Sequence, residues 1–292
     1  MRANPADYEL AAPGTLQKVL ALCADDPGSW LPIAGGTDVM VLYAAGKLPA
    51  RKLVNIGDLR ELRRIEVTSS EVRIGAGCTY TDLRQHSVIA SEFPLLARAA
   101  AWTGGIANQN RGTLGGNIAN ASPAGDSLPV LLVYDADLIL VSVRGERRIP
   151  YRTFHTGYKK TLLAPDELIH SICISKNLKG YISYAKKVGA RNAQAISKVF
   201  LAALARISNT TIEDVRLAAG SVGPIPVRLA ATERALAGRA IDNSLLEAAG
   251  NIMAQEVQPI DDIRSTAEYR TVVLRNLLGE FLHGLPGARI AS

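Results

Sequence analysis

The 292-residue chain has little of what metal sites and nucleic-acid platforms are built from. Its three cysteines, Cys23, Cys78 and Cys173, lie far apart, and no pair has C-x-x-C spacing. This argues against a zinc or iron–sulfur site made by this chain alone. Aromatic residues make up only 5% of the chain, and no long basic run is interleaved with them, although the net charge is +6. We therefore expect no metal site and no nucleic-acid partner.

Export and membrane signals are missing as well. The N-terminal residues, MRANPADYEL, lack the apolar core of a signal peptide, and no apolar run approaches the length of a membrane span. An odd number of widely spaced cysteines is typical of a reducing compartment. These features predict a soluble, cytoplasmic protein without a membrane span.

Signatures of nucleophilic catalysis and of common nucleotide folds are also absent. The four histidines are isolated in the sequence, and the sequence indicates no Ser-His-Asp triad and no pair of catalytic carboxylates. Neither G-x-G-x-x-G between a strand and a helix nor G-K-[ST] occurs. We expect no hydrolytic activity and no catalytic side chain, and any dinucleotide must bind through another architecture.

What the chain does contain is two stretches with a Gly-Gly pair, a Thr and nearby Asp or Asn. The first stretch, residues 32–39, reads PIAGGTDV, and the second stretch, residues 110–126, reads NRGTLGGNIANASPAGD. Glycine is costly inside helices and strands, and Asn, Ser and Pro favour turns, so the second stretch is predicted to be a functional loop without regular structure. Backbone N–H groups at both pairs could form an anion nest, so the stretches are predicted to be two walls of one phosphate site. A long surface loop without a ligand is the alternative.

The rest of the pattern predicts two domains. A strand, the first stretch and a helix follow one another over residues 30–43, and strands are predicted at 137–143 and 167–175. A boundary is expected near residues 176–180. Beyond it, helices are predicted at 228–237, 244–255 and 267–283. The predicted domains are 1–177, with parts of about 1–56 and 57–177, and 178–292.

These residues resemble a known family. Residues 32–39 and 111–126 resemble the two flavin-binding loops of the FAD subunit of molybdenum hydroxylases, which include xanthine dehydrogenase and carbon monoxide dehydrogenase. PDELIHSICI at 165–174 and YAKKVGARNAQAISKV at 184–199 resemble two further family blocks, in the same order. The resemblance implies an α+β fold: a two-part FAD-binding domain of the kind shared with vanillyl-alcohol oxidase (the PCMH type), then a small α+β domain of the carbon monoxide dehydrogenase flavoprotein type.

The resemblance also implies FAD-binding residues. The first loop would wrap the FAD pyrophosphate, and the second loop would face it from the opposite side. Asp126 would accept hydrogen bonds from the adenosine end of the cofactor. Lys187 and Ile196 would approach the isoalloxazine, and Ile169 would pack beside the ring or the ribityl chain. The residues of the two loops are Ile33, Ala34, Gly35, Gly36, Thr37, Asp38 and Val39, then Thr113, Gly115, Gly116 and Asn117. Taken singly, Lys187 could be a surface lysine, Asp126 a helix cap, and the two isoleucines ordinary core residues.

The function that the resemblance implies is electron transfer. Substrate would be oxidised at a molybdenum cofactor in one partner subunit, and electrons would pass through the 2Fe-2S clusters of another to FAD here, then to NAD or another acceptor. A purine such as xanthine is the expected substrate, with other N-heterocycles as alternatives. Two other functions remain open: a stand-alone flavin oxidase of the same fold, and an assembly subunit without a cofactor.

Overall fold

A computed structural model describes residues 4–191 and 194–289 of the chain. The helices and strands fall into three groups along the sequence. The first group is β1 (Glu9–Ala11), α1 (Leu16–Asp25), β2 (Trp30–Ile33), α2 (Val39–Ala44) and β3 (Lys52–Asn55). The second group is β4 (Ile65–Val67), β5 (Glu71–Gly75), α3 (Tyr80–Gln85), α4 (Ser87–Glu92), α5 (Pro94–Trp102), α6 (Ile106–Gln109), α7 (Leu114–Asn120), α8 (Ser127–Val133), β6 (Asp137–Ser142), β7 (Gly145–Pro150), β8 (His155–Gly157), β9 (Lys160–Thr161) and β10 (Leu168–Ser175). The third group is β11 (Ile182–Val188), β12 (Val199–Ser208), β13 (Thr211–Gly220), β14 (Val227–Arg228), α9 (Ala230–Leu236), α10 (Asn243–Glu256) and α11 (Ala267–His283).

The first group forms a small parallel sheet in the order β1-β3-β2. Helix α1 buries Val19, Leu20 and Cys23, and the Thr15 side chain accepts a hydrogen bond from the N–H of Lys18 at 3.4 Å. Strand β2 runs into the first stretch, and α2 starts at its end. The predicted order of strand, glycine turn and helix is therefore present.

The second group is an antiparallel sheet, β4-β5-β10-β6-β7, with helices packed against it. Its core contains side chains from β5, β6, β10, α5, α7 and α8. The predicted strands at 137–143 and 167–175 correspond to β6 and β10. This sheet carries the helix that contains the second Gly-Gly pair.

The prediction that the second stretch lacks regular structure is wrong, because α7 occupies its centre. The Thr113 hydroxyl caps this helix by accepting a hydrogen bond from the N–H of Gly116 at 3.1 Å. Leu114 and Ile118 are fully buried on its inner face. Burial of this face offsets the low helix propensity of the two glycines. The helix ends at Ala121, which has a left-handed φ of +48°.

The third group is an antiparallel sheet, β11-β12-β13-β14, covered on one face by α9, α10 and α11. The three helices predicted here from the sequence are present, and α11 has the predicted bounds. The Thr266 side chain caps α11 by accepting a hydrogen bond from the N–H of Tyr269 at 3.2 Å. The opposite face of this sheet packs on α8 of the second group, so the two cores meet there.

Among residues 4–191 and 194–289, no helix is long and apolar enough to cross a membrane. The same residues contain no group of three or more His, Cys, Asp or Glu side chains that could hold a metal ion.

Candidate functional site

The first stretch forms an open turn between β2 and α2. Within residues 4–191 and 194–289, no hydrogen bond is donated by the backbone N–H groups of Gly35, Gly36, Thr37 or Asp38. Gly36 has a φ of +74°, a conformation that favours glycine. Successive unpaired N–H groups in a turn form a nest that suits an anion. The first stretch therefore has the donors that the sequence predicts.

This turn packs directly on the start of the second stretch. A Cβ added to Gly35 would lie 1.8 Å from the carbonyl oxygen of Arg111 and 2.5 Å from its carbonyl carbon. Only glycine fits such a close backbone approach. The Arg111 residue is exposed, and its guanidinium makes no ion pair with the described residues. Arg111 therefore places a cationic side chain, without an ion-pair partner in the described part of the chain, on the segment that touches the nest, although the sequence analysis does not single it out.

The Gly-Gly pair of the second stretch has different chemistry. The Gly115 N–H donates to the carbonyl oxygen of Ala76 at 2.8 Å, and the Gly116 N–H donates to the Thr113 hydroxyl. Both donors are paired within the protein, so the prediction of a second anion nest at this pair is wrong. A Cβ on Gly115 would lie 2.5 Å from the Cβ of Ala76, whereas Gly116 is exposed. Gly115 is required by packing, and Gly116 contributes an open surface.

Asn117 also makes an internal contact. Its side-chain oxygen accepts a hydrogen bond from the Ser127 hydroxyl at 2.7 Å. This bond ties α7 to the first turn of α8. The predicted loop residues Thr113, Gly115 and Asn117 therefore all have structural roles within the second stretch.

A polar cluster bridges the two stretches at their far side. The side-chain amide of Asn120 donates to the Asp38 carboxylate at 3.1 Å. The Lys159 ammonium donates to the backbone and side-chain oxygens of Asn120, at 2.7 and 2.6 Å. Asn120 lies inside the second stretch, whereas Lys159, on the turn between β8 and β9, belongs to no sequence motif.

A second polar cluster lies between the start of α8, strand β11 and the segment that joins β11 to β12. The two oxygens of the Asp126 carboxylate accept hydrogen bonds from the Lys187 ammonium and the Ser197 hydroxyl, each at 2.6 Å. The Lys187 ammonium also donates to the backbone oxygen of Trp102 at 3.0 Å. Burial raises the pKa of the Asp126 carboxyl, and the charge of Lys187 opposes that shift. The side chains of Asp126 and Lys187 are only 6% and 11% exposed, so neither is a surface residue.

The resemblance places Asp126 at the adenosine end of the cofactor and Lys187 at the isoalloxazine end, and both roles stay predictions. The structure adds that the two side chains form one buried ion pair. The alternative that Asp126 caps α8 is wrong, since its side chain makes no cap hydrogen bond. The pair joins the second stretch to β11.

The two predicted isoleucines differ in their surroundings. Ile169 is 6% exposed and belongs to the core of the middle sheet. Ile196 is 55% exposed on the segment between β11 and β12. Gln194 of the same segment lies against Gly105, whose added Cβ would be 3.0 Å from the Gln194 amide nitrogen. Asn192 and Ala193, within the predicted block at 184–199, lie outside the described residues.

Tyr80 connects the two clusters electrostatically. Burial raises the pKa of its hydroxyl, and the negative charges of Asp126 and Asp38 raise it further. Tyr80 therefore remains a neutral hydroxyl. Its position next to the second stretch depends on a backbone hydrogen bond from its N–H to the carbonyl oxygen of Gly112, at 3.2 Å.

Comparison with known families gives two matches that together span most of the chain. Residues 6–176 match the family model described as the FAD binding domain in molybdopterin dehydrogenase. Residues 184–285 match the model of the CO dehydrogenase flavoprotein C-terminal domain.

Individual relatives agree with these matches. The chain is 34% identical to the xanthine dehydrogenase FAD-binding subunit of Escherichia coli O157:H7, over 93% of each chain. It is 31% identical to the nicotine 6-hydroxylase medium subunit of Paenarthrobacter nicotinovorans, over 92% of this chain and 93% of that one. Its fold is similar to that of a chain in a carbon monoxide dehydrogenase structure from Hydrogenophaga pseudoflava, with a TM-score of 0.90, 27% identity and coverage of 94% and 95%.

Proposed function

Because the chain belongs to the family of FAD-binding domains of molybdopterin dehydrogenases, we propose that it is the flavin subunit of a molybdenum hydroxylase and holds the FAD pyrophosphate on the first stretch. As a family member it is an FAD-dependent oxidoreductase subunit. FAD, when bound, supplies the redox chemistry, accepting electrons singly and passing them on as a pair. The chain's own residues bind and orient the cofactor.

The observation that carries this proposal is the set of unpaired donors at residues 35–38. A diphosphate can accept hydrogen bonds from several of these N–H groups at once. Glycine is the residue that tolerates the left-handed backbone at Gly36 and the close approach at Gly35. Because glycine has no side chain, the nest also stays open to a ligand. The exposed Arg111 adds a cation next to the same turn. Donors, charge and open backbone together fit the diphosphate of FAD.

The domain boundary is the proposed location of the isoalloxazine. Lys187 presents a positive charge there, and Ile196 presents an exposed apolar side chain. In this proposal Asp126 and Ser197 position Lys187, because both are hydrogen-bonded into the same cluster. Ile169 supports this region from within the core. Thr113, Gly115 and Asn117 hold α7 in place, and Gly116 faces the cofactor.

The names of the relatives support the proposed partners. Those relatives are named as FAD-binding and medium subunits, which supports a heteromeric complex with molybdenum and 2Fe-2S subunits. A purine is the proposed substrate of the complex, on the name of the Escherichia coli relative, and another N-heterocycle is supported by the nicotine relative. NAD is the proposed electron acceptor. A cytoplasmic location also belongs to this proposal, supported by three free, buried thiols.

The direct test is an absorption spectrum of the purified chain after addition of FAD and desalting. The proposal predicts a flavin spectrum at an amount equimolar with the chain, and release of FAD on denaturation. A complex purified with its partners should show the same flavin together with molybdenum and iron, and should bleach on addition of xanthine. Absence of flavin from the complex as well as from the single chain would overturn the proposal.

A further inference from the structure

The turn between β8 and β9 brings a lysine to the edge of the proposed pyrophosphate site. Lys159 has a left-handed φ of +56°, which is uncommon for a residue with a side chain. Such strain persists where surrounding contacts hold it, and it concentrates at functional sites. The contacts here are the two hydrogen bonds from the Lys159 ammonium to Asn120.

Asp38 lies in the proposed pyrophosphate site although its side chain is negatively charged. Its N–H is one of the unpaired donors of the first stretch, yet its side chain is a carboxylate. A carboxylate beside a bound diphosphate is repulsive, and it weakens binding unless a cation offsets it. Among the described residues, Asp38 forms no ion pair in direct contact. Its carboxylate is held instead by the amide of Asn120, which in turn accepts from Lys159.

The charge of Lys159 is close enough to act on Asp38. Partial burial lowers the pKa of the Lys159 ammonium, and the Asp38 carboxylate raises it. The Lys159 ammonium is linked to the Asp38 carboxylate through the side chain of Asn120, which accepts from Lys159 and donates to Asp38. The side chain therefore does two things: it supplies a positive charge near Asp38, and it fixes the orientation of the Asn120 amide that holds Asp38.

We propose that Lys159 is the counter-charge that allows Asp38 to lie beside the FAD pyrophosphate, acting through Asn120. This inference rests on the proposed function. Lys159 is a positioning residue, since its own contacts are with Asn120. Through these contacts it also joins three segments, the first stretch, the end of α7 and the β8–β9 turn, around the cofactor.

The test compares Lys159→Met with Lys160→Met. Lys160 is the next residue, is exposed, and has no side-chain hydrogen bond or ion pair with the described part of the chain. FAD dissociation is followed by the rise in flavin fluorescence after dilution of the loaded protein. Lys159→Met should release FAD about fivefold faster, the size expected for loss of one partly screened charge interaction. Lys160→Met should match the wild type, and Lys159→Arg should stay close to it.

A second substitution separates charge from structure. If Lys159 offsets the charge of Asp38, then Asp38→Asn in the Lys159→Met background should restore slow release. Fast release in this double variant, or wild-type release in Lys159→Met, would overturn the inference while leaving the flavin assignment intact. If the wild-type complex itself retains no FAD, the proposed function fails first, so the two failures are distinguishable.

Discussion

The two stretches share a sequence pattern, a Gly-Gly pair with a Thr and a nearby Asp or Asn, but they differ in physical role. In the first, the N–H groups of residues 35–38 have no partner among the described residues, and the turn is half exposed. In the second, the donors of Gly115 and Gly116 are paired within the protein, and α7 runs through the pair. The first stretch therefore has donors that are available for the proposed diphosphate, whereas the second brings a helix close to its neighbours. In this chain both Gly-Gly pairs lie at a close approach of two segments, whereas only the first pair has unpaired donors among the described residues.

The second stretch is also fixed at several points, whereas the first is held mainly by the second. His155 contacts the carbonyl oxygen of Ile118 at 2.9 Å, Ser127 contacts Asn117, and Lys187 contacts Asp126. The first stretch meets Arg111 and Asn120. Substitutions of buried residues in the second stretch should therefore act on folding, and those in the first on folding only where they break its contact with the second.

The largest expected effect is at the end of the second stretch. Lys187→Met leaves the Asp126 carboxylate buried without its cation, which should lower the free energy of unfolding by about 3–5 kcal/mol. Lys186→Met is the control, since Lys186 is half exposed in its ion pair with Glu280 and should change stability by less than about 1 kcal/mol. Urea unfolding measures both. Equal effects of the two substitutions would show that the buried pair does not hold the second stretch.

The contact between the two stretches is tested by Gly35→Ala. The new Cβ would meet the backbone of Arg111, which cannot move aside as a side chain does, so a loss of about 3 kcal/mol is expected. Gly14→Ala is a matched control, because nothing lies within 4 Å of the added Cβ. Both are measured by urea unfolding of the chain without added FAD. A stable Gly35→Ala variant would mean that the two stretches are separable.

A smaller effect on stability, with a clear effect on binding, is expected for Gly116→Asp. Gly116 is exposed in the first turn of α7, where an acidic residue is tolerated, although its Cβ would press on the Thr113 hydroxyl at 2.8 Å. The carboxylate should weaken FAD binding about tenfold or more through repulsion of the diphosphate. Gly116→Asn, of the same size without the charge, should retain more FAD on desalting. Equal retention by both variants would remove Gly116 from the site.

The smallest effect concerns pH. Burial lowers the pKa of His155 from its ordinary value of 6.5, so the folded protein favours the neutral ring. The resulting stability is present above pH 6.5 and is lost as the pH falls towards the folded-state pKa, with a slope below about 1.4 kcal/mol per pH unit. Burial also lowers the pKa of His170, so both contribute in the same direction. His155→Gln should reduce the slope in urea unfolding, and an unchanged slope would rule out a buried neutral His155.

The elements with local signals could be predicted from the sequence. Helix α11 has apolar spacing and a Thr266 cap, and the first stretch sits between a predicted strand and a predicted helix. The structure of α7 could not be predicted locally, because its stability comes from burial of Leu114 and Ile118 in a core made by distant segments.

The two polar clusters could not be predicted from local sequence either, because their members are distant along the chain. Asp126 and Lys187 are 61 residues apart in sequence, and Asn120 and Lys159 are 39 apart. Resemblance to a family named both Asp126 and Lys187, but it did not reveal that they bind each other. Lys159 belongs to no motif, so only the folded chain brings it to Asp38.

The most direct test of the difference between the two stretches is hydrogen–deuterium exchange of the chain with and without FAD. The amides of residues 35–38 should exchange fast without FAD and become protected when it binds, because the diphosphate would accept their hydrogen bonds. The amides of Gly115 and Gly116 should exchange slowly in both states, since they are already paired. Protection by FAD at Gly115 and Gly116 with none at residues 35–38 would contradict this account.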